Sequence, residues 1–327
     1  MSSRMLVWCA VWLVALHARA ATYYVAASGN DANAGTSWAL AKQTIQAAID
    51  VAVSNDTVLV SNGVYGTGGR VVSFGMTNRV AITNAITVQS VNGPAVTIIQ
   101  GKGPIGPDAV RCVYVGPNAR LIGFTLTNGH TVVTNNVAGS SGGGAYAFVS
   151  SFISNCVIAG NSAWLSGGGV YAGTVVVSVV AGNYARTGGG GTDVARLIGS
   201  VVSNNTTDAV GGGISGGWAI GCTITRNSAG TSGGGVSGGA VTNSIISFNT
   251  AAERGGGING GHARNSAIYG NTAGSQGGGV FANGTGISVV NCTVSGNRAV
   301  VGRGVHGPSV TNSVVFHNWA AVDENWG

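Results

Sequence analysis

A parallel β-solenoid, an all-β fold in which short strands stack coil upon coil, is the fold class that this sequence predicts. The first observation is composition: 58 of the 327 residues are Gly, and only 7% are charged. Typical globular domains have about 7% Gly and about 25% charged residues. The second is a 22-residue repeat, and the third is a set of aliphatic columns with this period. The low charge excludes a coiled coil, and an apolar fraction of 44% excludes disorder.

Asparagine marks the repeat most sharply. It recurs with this period at the following positions: Asn161, Asn183, Asn205, Asn227, Asn249 and Asn271. Asn297 and Asn318 continue the series after a small insertion. A short amide at a fixed corner tolerates left-handed backbone angles and can hydrogen-bond to the amide of the next coil. We therefore predict a structural asparagine ladder and assign these residues no chemistry.

Other columns of the repeat predict the core and a second corner. Three residues before each Asn stands an aliphatic residue, for example Ile158 or Val180. Glycine triplets, such as those that begin at Gly211 and Gly233, suit a corner where side chains would obstruct stacking or where φ is positive. A 22-residue unit is too short for a two-helix repeat. It suits one solenoid turn of three short strands and three corners.

Residues 1–20 have the features of a secretory signal. Arg4 precedes an apolar run over residues 5–16, and Ala18-Arg19-Ala20 supplies a cleavage pattern. No later apolar run is long enough to span a membrane as a helix. We therefore expect export, to the extracellular space or the outer cell surface, and no transmembrane segment in the mature chain.

Residues 21–327 are expected to form a single solenoid domain. Its first part, 21–140, contains the N-terminal cap and irregular coils, and 141–327 contains the regular 22-residue coils. Within 44–52, four apolar residues share one helical face, which predicts a short capping helix: Ile45, Ala48, Ile49 and Ala52. The last repeat breaks off without a recognisable cap, which predicts an open edge. Either the chain is truncated relative to its relatives, or a short irregular tail or an end-to-end partner covers this edge.

Motifs along the whole domain carry a family resemblance. The N-terminal ones are YYVAASGND at 23–31, GTSW at 35–38, TIQAAID at 44–50 and DTVLV at 56–60. They resemble the opening of secreted bacterial proteins in the right-handed parallel β-helix superfamily that includes pectate lyases and polygalacturonases. The Gly-Gly-Gly-(Val/Ile) and Asn repeats are similar to those of the polymorphic outer membrane proteins, an adhesin group. The resemblance implies a right-handed parallel β-helix, a fold that hosts many activities.

The catalytic motifs of those enzymes do not match. The hydrolases resemble one another in clustered Asp residues and a Gly-His-Gly motif, whereas His130 stands in Asn-Gly-His-Thr. The lyases would need clustered acids for calcium, and no such run occurs. We identify no catalytic residue, no metal site and no cofactor. Calcium belongs only to the lyase alternative, whose site would have to lie in the irregular N-terminal coils.

The repeat also places residues 22 positions apart on adjacent coils, about 5 Å from each other. Asp208 follows Arg186 by this interval, which predicts an exposed ion pair. The formal net charge of +6 comes from scattered Arg residues and from Lys42 and Lys102 alone. A nucleic-acid surface clusters its bases on one face, so nucleic acid is not an expected partner.

One outward column has a composition suited to binding. Arg196, Trp218, Ala240 and His262 recur at the 22-residue interval. The next column is apolar and suits an inward face: Leu197, Ala219, Val241 and Ala263. An exposed Trp beside an Arg can stack a sugar ring or form a cation–π pair. We hypothesise that this strip, with Asp193 and Arg264 near it, binds glycan; an ordinary mixed surface is the alternative.

The cysteines of the mature chain are Cys112, Cys156, Cys222 and Cys292. The last three share one column at intervals of three coils, about 14 Å between neighbours. A disulfide needs Cα atoms within about 7 Å. We therefore predict that these three are unpaired, inward-facing thiols, and leave open whether Cys112 reaches Cys156.

These features favour a secreted or cell-surface scaffold, without catalytic activity, that binds polysaccharide or cell-surface glycan. The alternative is a polysaccharide lyase or glycoside hydrolase. Such an enzyme would need acids converging in one groove, and the register of the repeats brings no two acids together.

Overall fold

The computed structural model describes residues 20–72, 75–282, 284 and 286–320. The predicted signal lies outside the described residues apart from Ala20, as do Asp323 and Glu324. Within the described residues the chain winds into stacked coils whose strands form four long sheets, here named A to D. Every pairing among the described strands is parallel except that between Arg70–Val71 and Thr77–Ile82. The predicted all-β, right-handed parallel β-helix is confirmed.

Sheets A and B carry the longer strands of each regular coil. Sheet A consists of Thr22–Val25, Thr57–Val60, Thr87–Ser90, Arg120–Ile122, Phe152–Ser154, Thr174–Val176, Arg196–Ile198, Trp218–Ile220, Ala240–Thr242, His262–Arg264, Ser288–Val290 and Ser309–Thr311. Sheet B consists of Gly63–Tyr65, Thr97–Gln100, Thr125–Thr127, Val157–Ala159, Val179–Ala181, Val201–Ser203, Thr223–Thr225, Ile245–Ser247, Ala267–Tyr269, Thr293–Ser295 and Val314–Phe316.

Sheets C and D are built mostly from strands of two residues. Sheet C consists of Arg70–Val71, Thr77–Ile82, Val110–Val115, Ala145–Ala147, Val170–Tyr171, Thr192–Asp193, Ile214–Ser215, Val236–Ser237, Ile258–Asn259, Val280–Phe281 and Val305–His306. Sheet D consists of Ser162–Ala163, Tyr184–Ala185, Thr206–Thr207, Ser228–Ala229, Thr250–Ala251, Thr272–Ala273, Arg298–Ala299 and Trp319–Ala320. A regular coil therefore has four strands, not the predicted three, because the pair after each ladder Asn is extended and not a corner.

The 22-residue register is confirmed. Val180 pairs with Val202 and Val202 with Ile224 on adjacent strands of sheet B, and all three side chains are fully buried. Each such column is a stripe of the solenoid core. Because one residue type repeats at each level, stacking a coil on the next buries the same apolar surface every time.

The asparagine ladder is confirmed. The ladder residues themselves, however, do not have the left-handed backbone angles that the sequence predicted for them. Asn183 Nδ2 donates to Asn205 Oδ1 at 3.0 Å and to the carbonyl of Ile158 at 2.9 Å. The ladder side chains from Asn161 to Asn297 are buried. Positive φ falls one residue earlier, for example at Asn204 (φ 55°) and Arg226 (φ 55°). This left-handed residue turns the chain so that the following Asn points inward.

The glycine triplet combines both predicted reasons for Gly. Gly211 has φ +69°, in the left-handed region that favours Gly. A Cβ on Gly212 would lie 2.4 Å from the carbonyl oxygen of Gly234 in the next coil. A side chain at this position would therefore push the coils apart.

The N-terminal coils contain the predicted capping helix, α1 (Ile45–Ile49), preceded by a 3-10 helix at Trp38–Leu40. Thr44 caps α1 by accepting from the Ala47 amide. The four predicted apolar residues of this segment are at most 2% exposed and belong to the main core. A second short helix, α2 (Val137–Ser140), follows the irregular coils.

Arg111 anchors the segment around α2. Its guanidinium is buried and donates to the carbonyls of Ala138, Ser141 and Gly142 and to Asn78 Oδ1 at 2.6–2.9 Å. Every guanidinium nitrogen thus has an acceptor. Burial lowers the pKa of Arg111 to about 9, since desolvation disfavours the cation.

All four described cysteines are unpaired and buried, as predicted for three of them, and Cys112 does not bond to Cys156. Cys156, Cys222 and Cys292 share a corner column with Ser residues. Each Ser in it accepts from the backbone amide one coil before, as Ser178 Oγ does from Cys156 at 3.1 Å. Burial raises the pKa of Cys112 to about 12 and that of Cys156 to about 11.

The last described coil is less covered than the others. Val310 and Val315 occupy core columns yet are 43% and 44% exposed. An end-to-end partner at this end stays a prediction. No helix among the described residues has the length and apolarity needed to cross a membrane.

Candidate functional site

The predicted strip lies on the outer face of sheet A. Arg196 pairs with Trp218, Trp218 with Ala240 and Ala240 with His262 on successive strands. The predicted inward residues beside them, from Leu197 to Ala263, are at most 1% exposed. The alternation of a β-strand therefore turns the strip to the outside, as expected.

Trp218 and His262 border a gap in this strip. Trp218 is 59% exposed, so most of its indole stands free of the sheet. Ala240 lies between the two rings and carries only a methyl group. His262 Nδ1 lies 3.2 Å from Ser288 Oγ, which draws the imidazole toward the strand beyond. Two strand spacings separate Trp218 from His262, about 10 Å along the solenoid axis.

Arg196 and Trp218 do not form the cation–π pair that their adjacent positions in the strip suggested. Other arginines within the described part of the chain do pair in this way: Arg120 lies 4.9 Å from the ring of Phe152 and Arg186 lies 4.1 Å from that of Trp164. No such contact joins Arg196 to Trp218 there. The indole face is therefore open to a ligand.

The two residues predicted to lie near the strip are placed differently. Arg264 is exposed on sheet A itself, two residues after His262 on the same strand. Asp193 is on sheet C, separated from Arg196 by a turn at Val194 (φ 47°). Asp193 therefore faces out from the adjoining side of the solenoid, and it does not share the strip's surface.

Asp193 continues a row of aromatic residues on sheet C. Tyr114, Tyr146 and Tyr171 stack with ring centroids 6.1 and 5.1 Å apart, and Tyr171 pairs with Asp193 on the next strand. Burial raises the pKa of Asp193, opposed by hydrogen bonds from Ser166 and Ser215. The sequence did not predict this row, because the intervals between its tyrosines are unequal and longer than the repeat period.

A shallow cavity of about 210 Å³ adjoins the tyrosines. Phe148 closes one side and contacts Tyr114 and Tyr146 edge to face. Val194, in the turn between the sheet C and sheet A strands of its coil, also lines the cavity, which therefore adjoins the corner between these two sheets. The corner offers aromatic surface on both faces.

Three of the four acids of the N-terminal coils have structural partners. Asp31 accepts hydrogen bonds from the amides of Gln43 and Thr44, and buried Asp56 accepts from those of Ala21 and Val53. Asp50 forms an ion pair with Arg70. Among the described residues, no three His, Cys, Asp or Glu side chains lie close enough to hold a metal ion.

The predicted ion pair of Arg186 with Asp208 is wrong. Arg186 stacks on Trp164 in the preceding coil, and Asp208 accepts from the hydroxyl of Tyr184 at 2.6 Å. The register brings the two backbones together, but each exposed side chain contacts a different neighbour. The pKa of Tyr184 is raised to about 12 by desolvation and by the Asp208 carboxylate.

Solved structures with this architecture are similar to the chain over most of its length. Pectate lyase Pel9A superimposes with a TM-score of 0.51 at 19% identity, covering 92% of this chain and 80% of the enzyme. A GH136 lacto-N-biosidase from Eubacterium ramulus gives 0.47 at 10%, covering 90% and 68%. A rhamnogalacturonan lyase gives 0.40 at 13%, covering 93% and 90%. No protein-family model and no curated protein matches the sequence.

The chain therefore has a right-handed parallel β-helix fold like that of pectate lyase Pel9A. At these identities the likeness establishes the fold alone. The resemblance of the repeats to polymorphic outer membrane proteins is not tested by these structures and stays a prediction.

Proposed function

We propose that this protein is a non-catalytic scaffold that binds polysaccharide or cell-surface glycan across the outer face of sheet A. The observation that carries the proposal is the gap over Ala240, bordered by Trp218 and His262. Two aromatic rings on strands about 10 Å apart, with a methyl group between them, define a slot open to solvent.

Strands about 10 Å apart leave room for a sugar ring between the side chains of Trp218 and His262. A ring in van der Waals contact with an aromatic face on each side needs about 7–8 Å between those faces. The apolar C–H face of a pyranose would stack on Trp218, while its hydroxyls would accept from the exposed guanidinium groups of Arg196 and Arg264. The strip supplies both kinds of contact without a carboxylate, which suits binding and not glycosidic cleavage.

A polysaccharide array tests this site. The protein from Ala21 onward would be compared with Trp218→Ala and, as a matched control, Trp164→Ala. Trp164 is a half-buried indole under Arg186, away from the strip. We expect Trp218→Ala alone to lose the binding of the parent protein. Equal binding by the parent and Trp218→Ala would contradict the assignment.

Export is part of the proposal, since a glycan scaffold of this kind acts outside the cell. The apolar run over 5–16 and the Ala18-Arg19-Ala20 pattern support it. Expression of the full chain in a bacterial host, followed by N-terminal sequencing of the exported protein, should show a mature chain that begins at Ala21. Retention in the cytoplasm with an intact leader would contradict it.

The alternative, a polysaccharide lyase or glycoside hydrolase, has one observation in its favour: the solved structures with this architecture include a pectate lyase. An assay for reducing ends and unsaturated products over the same polysaccharides, with and without calcium, separates the two. We expect no product. Product formation that Trp218→Ala leaves intact would place an active site elsewhere on the solenoid.

A further inference from the structure

A cavity of about 220 Å³ lies beside α1, on the N-terminal coils and away from the strip. Residues from four parts of the chain line it, among them Gln43, Tyr65, Arg70 and Arg79. The cavity is smaller than those that hold drug-sized ligands. It therefore suits a small molecule or a single group of a larger one.

Arg79 lines this cavity and is only 9% exposed. Its Nε donates to the carbonyl of Gln100 at 2.8 Å, and Nη1 donates to that of Gly68. Nη2 makes no hydrogen bond within the part of the chain that the structure describes. A buried guanidinium thus keeps donors without a partner next to a cavity.

The charge of Arg79 is also uncompensated. Arg70, the other cation of the cavity, pairs with Asp50, whereas no carboxylate of the described chain pairs with Arg79. Burial lowers the pKa of Arg79. Burying a cation without a counter-ion is costly, so an anion at this position would be favourable.

Arg111 shows the contrasting arrangement. It is equally free of carboxylate partners within the described chain, but all of its guanidinium nitrogens donate to acceptors of the protein, and it holds the α2 segment. Its role is accounted for by the fold. Arg79, in contrast, is a buried guanidinium that lines a cavity and whose Nη2 donates to no acceptor of the described chain.

We propose that this cavity binds a carboxylate, with Arg79 as the principal ligand. A planar carboxylate matches the fork of a guanidinium and would use its free donor. The group could belong to a small free acid or to an acidic sugar residue. This site is separate from the glycan strip and does not depend on it.

Thermal unfolding in the presence of acids tests the proposal. The full mature chain would be titrated with sodium acetate, sodium glucuronate and sodium sulfate at constant ionic strength, with glucose as the uncharged match for glucuronate. We expect acetate to raise Tm in a saturable way. A rise with glucuronate and none with glucose would identify the acidic sugar as a second source of the carboxylate.

Two variants locate the effect. Gln43→Glu adds a carboxylate among the lining residues and leaves Arg79 itself unsubstituted. Gln89→Glu makes the same change in net charge on sheet A, away from the cavity. We expect Gln43→Glu to weaken the apparent acetate affinity about tenfold or more and Gln89→Glu to leave it unchanged. Arg79→Gln should abolish the effect if it folds.

The proposal is overturned if acetate does not raise Tm, if glucose does so equally, or if Gln43→Glu and Gln89→Glu respond alike. Stabilisation by sulfate alone would also overturn it, since it would indicate a general anion effect. None of these outcomes bears on Trp218, so failure here leaves the proposed function standing.

Discussion

Asn205 Nδ2 donates to Asn227 Oδ1 at 2.9 Å, and Asn227 Oδ1 also accepts from the Asn205 backbone amide at 3.0 Å. One buried amide oxygen thus serves two donors of the preceding coil. Asn227→Leu would leave both donors without partners and would remove the bond from Asn227 Nδ2 to the carbonyl of Val202. Because each unsatisfied buried group costs about 1–3 kcal/mol, we expect a loss of about 3 kcal/mol or more in the free energy of unfolding, measured by denaturant titration.

A second, exposed ladder provides the control. Asn265 donates to Asn243 at 3.2 Å on the surface, with φ 49°. Asn265→Gly removes this rung and the next one, in which Asn291 donates to Asn265 at 3.1 Å. Because both rungs are exposed to water and Gly accepts the left-handed angle, a change below about 1 kcal/mol is expected. Equal losses at Asn227 and Asn265 would show that burial does not decide the strength of the ladder.

The thiols should be inert in the folded protein. Burial raises the pKa of Cys112 to about 12 and that of Cys156 to about 11, and it raises those of Cys222 and Cys292 as well. Because the thiolate is the reactive form, a chromogenic disulfide reagent at pH 8 should titrate no thiol in the native mature chain and four in denaturant. A disulfide found by mass spectrometry without reduction would contradict the coil register.

The phenol of Tyr184 should ionise at a higher pH than that of an ordinary tyrosine. Its pKa is raised to about 12 by desolvation first and then by the hydrogen bond and charge of Asp208. This interaction is therefore complete below the usual tyrosine pKa of about 10 and is lost as the pH rises through about 12. Absorbance titration should show that Asp208→Asn lowers the pKa of one tyrosine; an unchanged titration would mean that the contact does not form in solution.

Arg111 should not be replaceable by Lys. The Lys ammonium is a compact point charge and cannot reach four acceptors arranged around a planar fork. Arg111→Lys is expected to leave carbonyls of the α2 segment unpaired and to cost about 3 kcal/mol or more. Proteolysis near Ala138 should accelerate along with it. A variant as stable as the parent would show that water replaces the lost contacts at no cost.

The sequence predicted the regular coils well because a fixed period is also a fixed register. Once Asn183 and Asn205 are known to lie on adjacent coils, the ladder and the core columns follow. The same reasoning failed for Arg186 and Asp208. The register fixes where the backbones lie, whereas an exposed side chain can contact any of several neighbours. Trp218 and His262 were placed correctly because strand alternation alone turns them outward.

The contacts within the irregular coils could not be predicted, for a related reason. The tyrosine row brings together Tyr114, Tyr146 and Tyr171 across loops of unequal length, so no single period connects them. The cavity at Arg79 is formed by residues from 27 to 80, whose proximity depends on how the first coils close around α1. Patterns within one segment carry no information about such contacts.

The most direct test of the glycan site fills the slot between Trp218 and His262. Ala240→Trp puts an indole where the sugar ring would lie, on an outward strand position that accepts aromatic residues; Ala240→Ser is the control. With the polysaccharide that the parent protein retains on the array, we predict that Ala240→Trp weakens binding about tenfold or more at unchanged Tm, while Ala240→Ser binds normally. Parental affinity in folded Ala240→Trp would contradict the assignment of the slot.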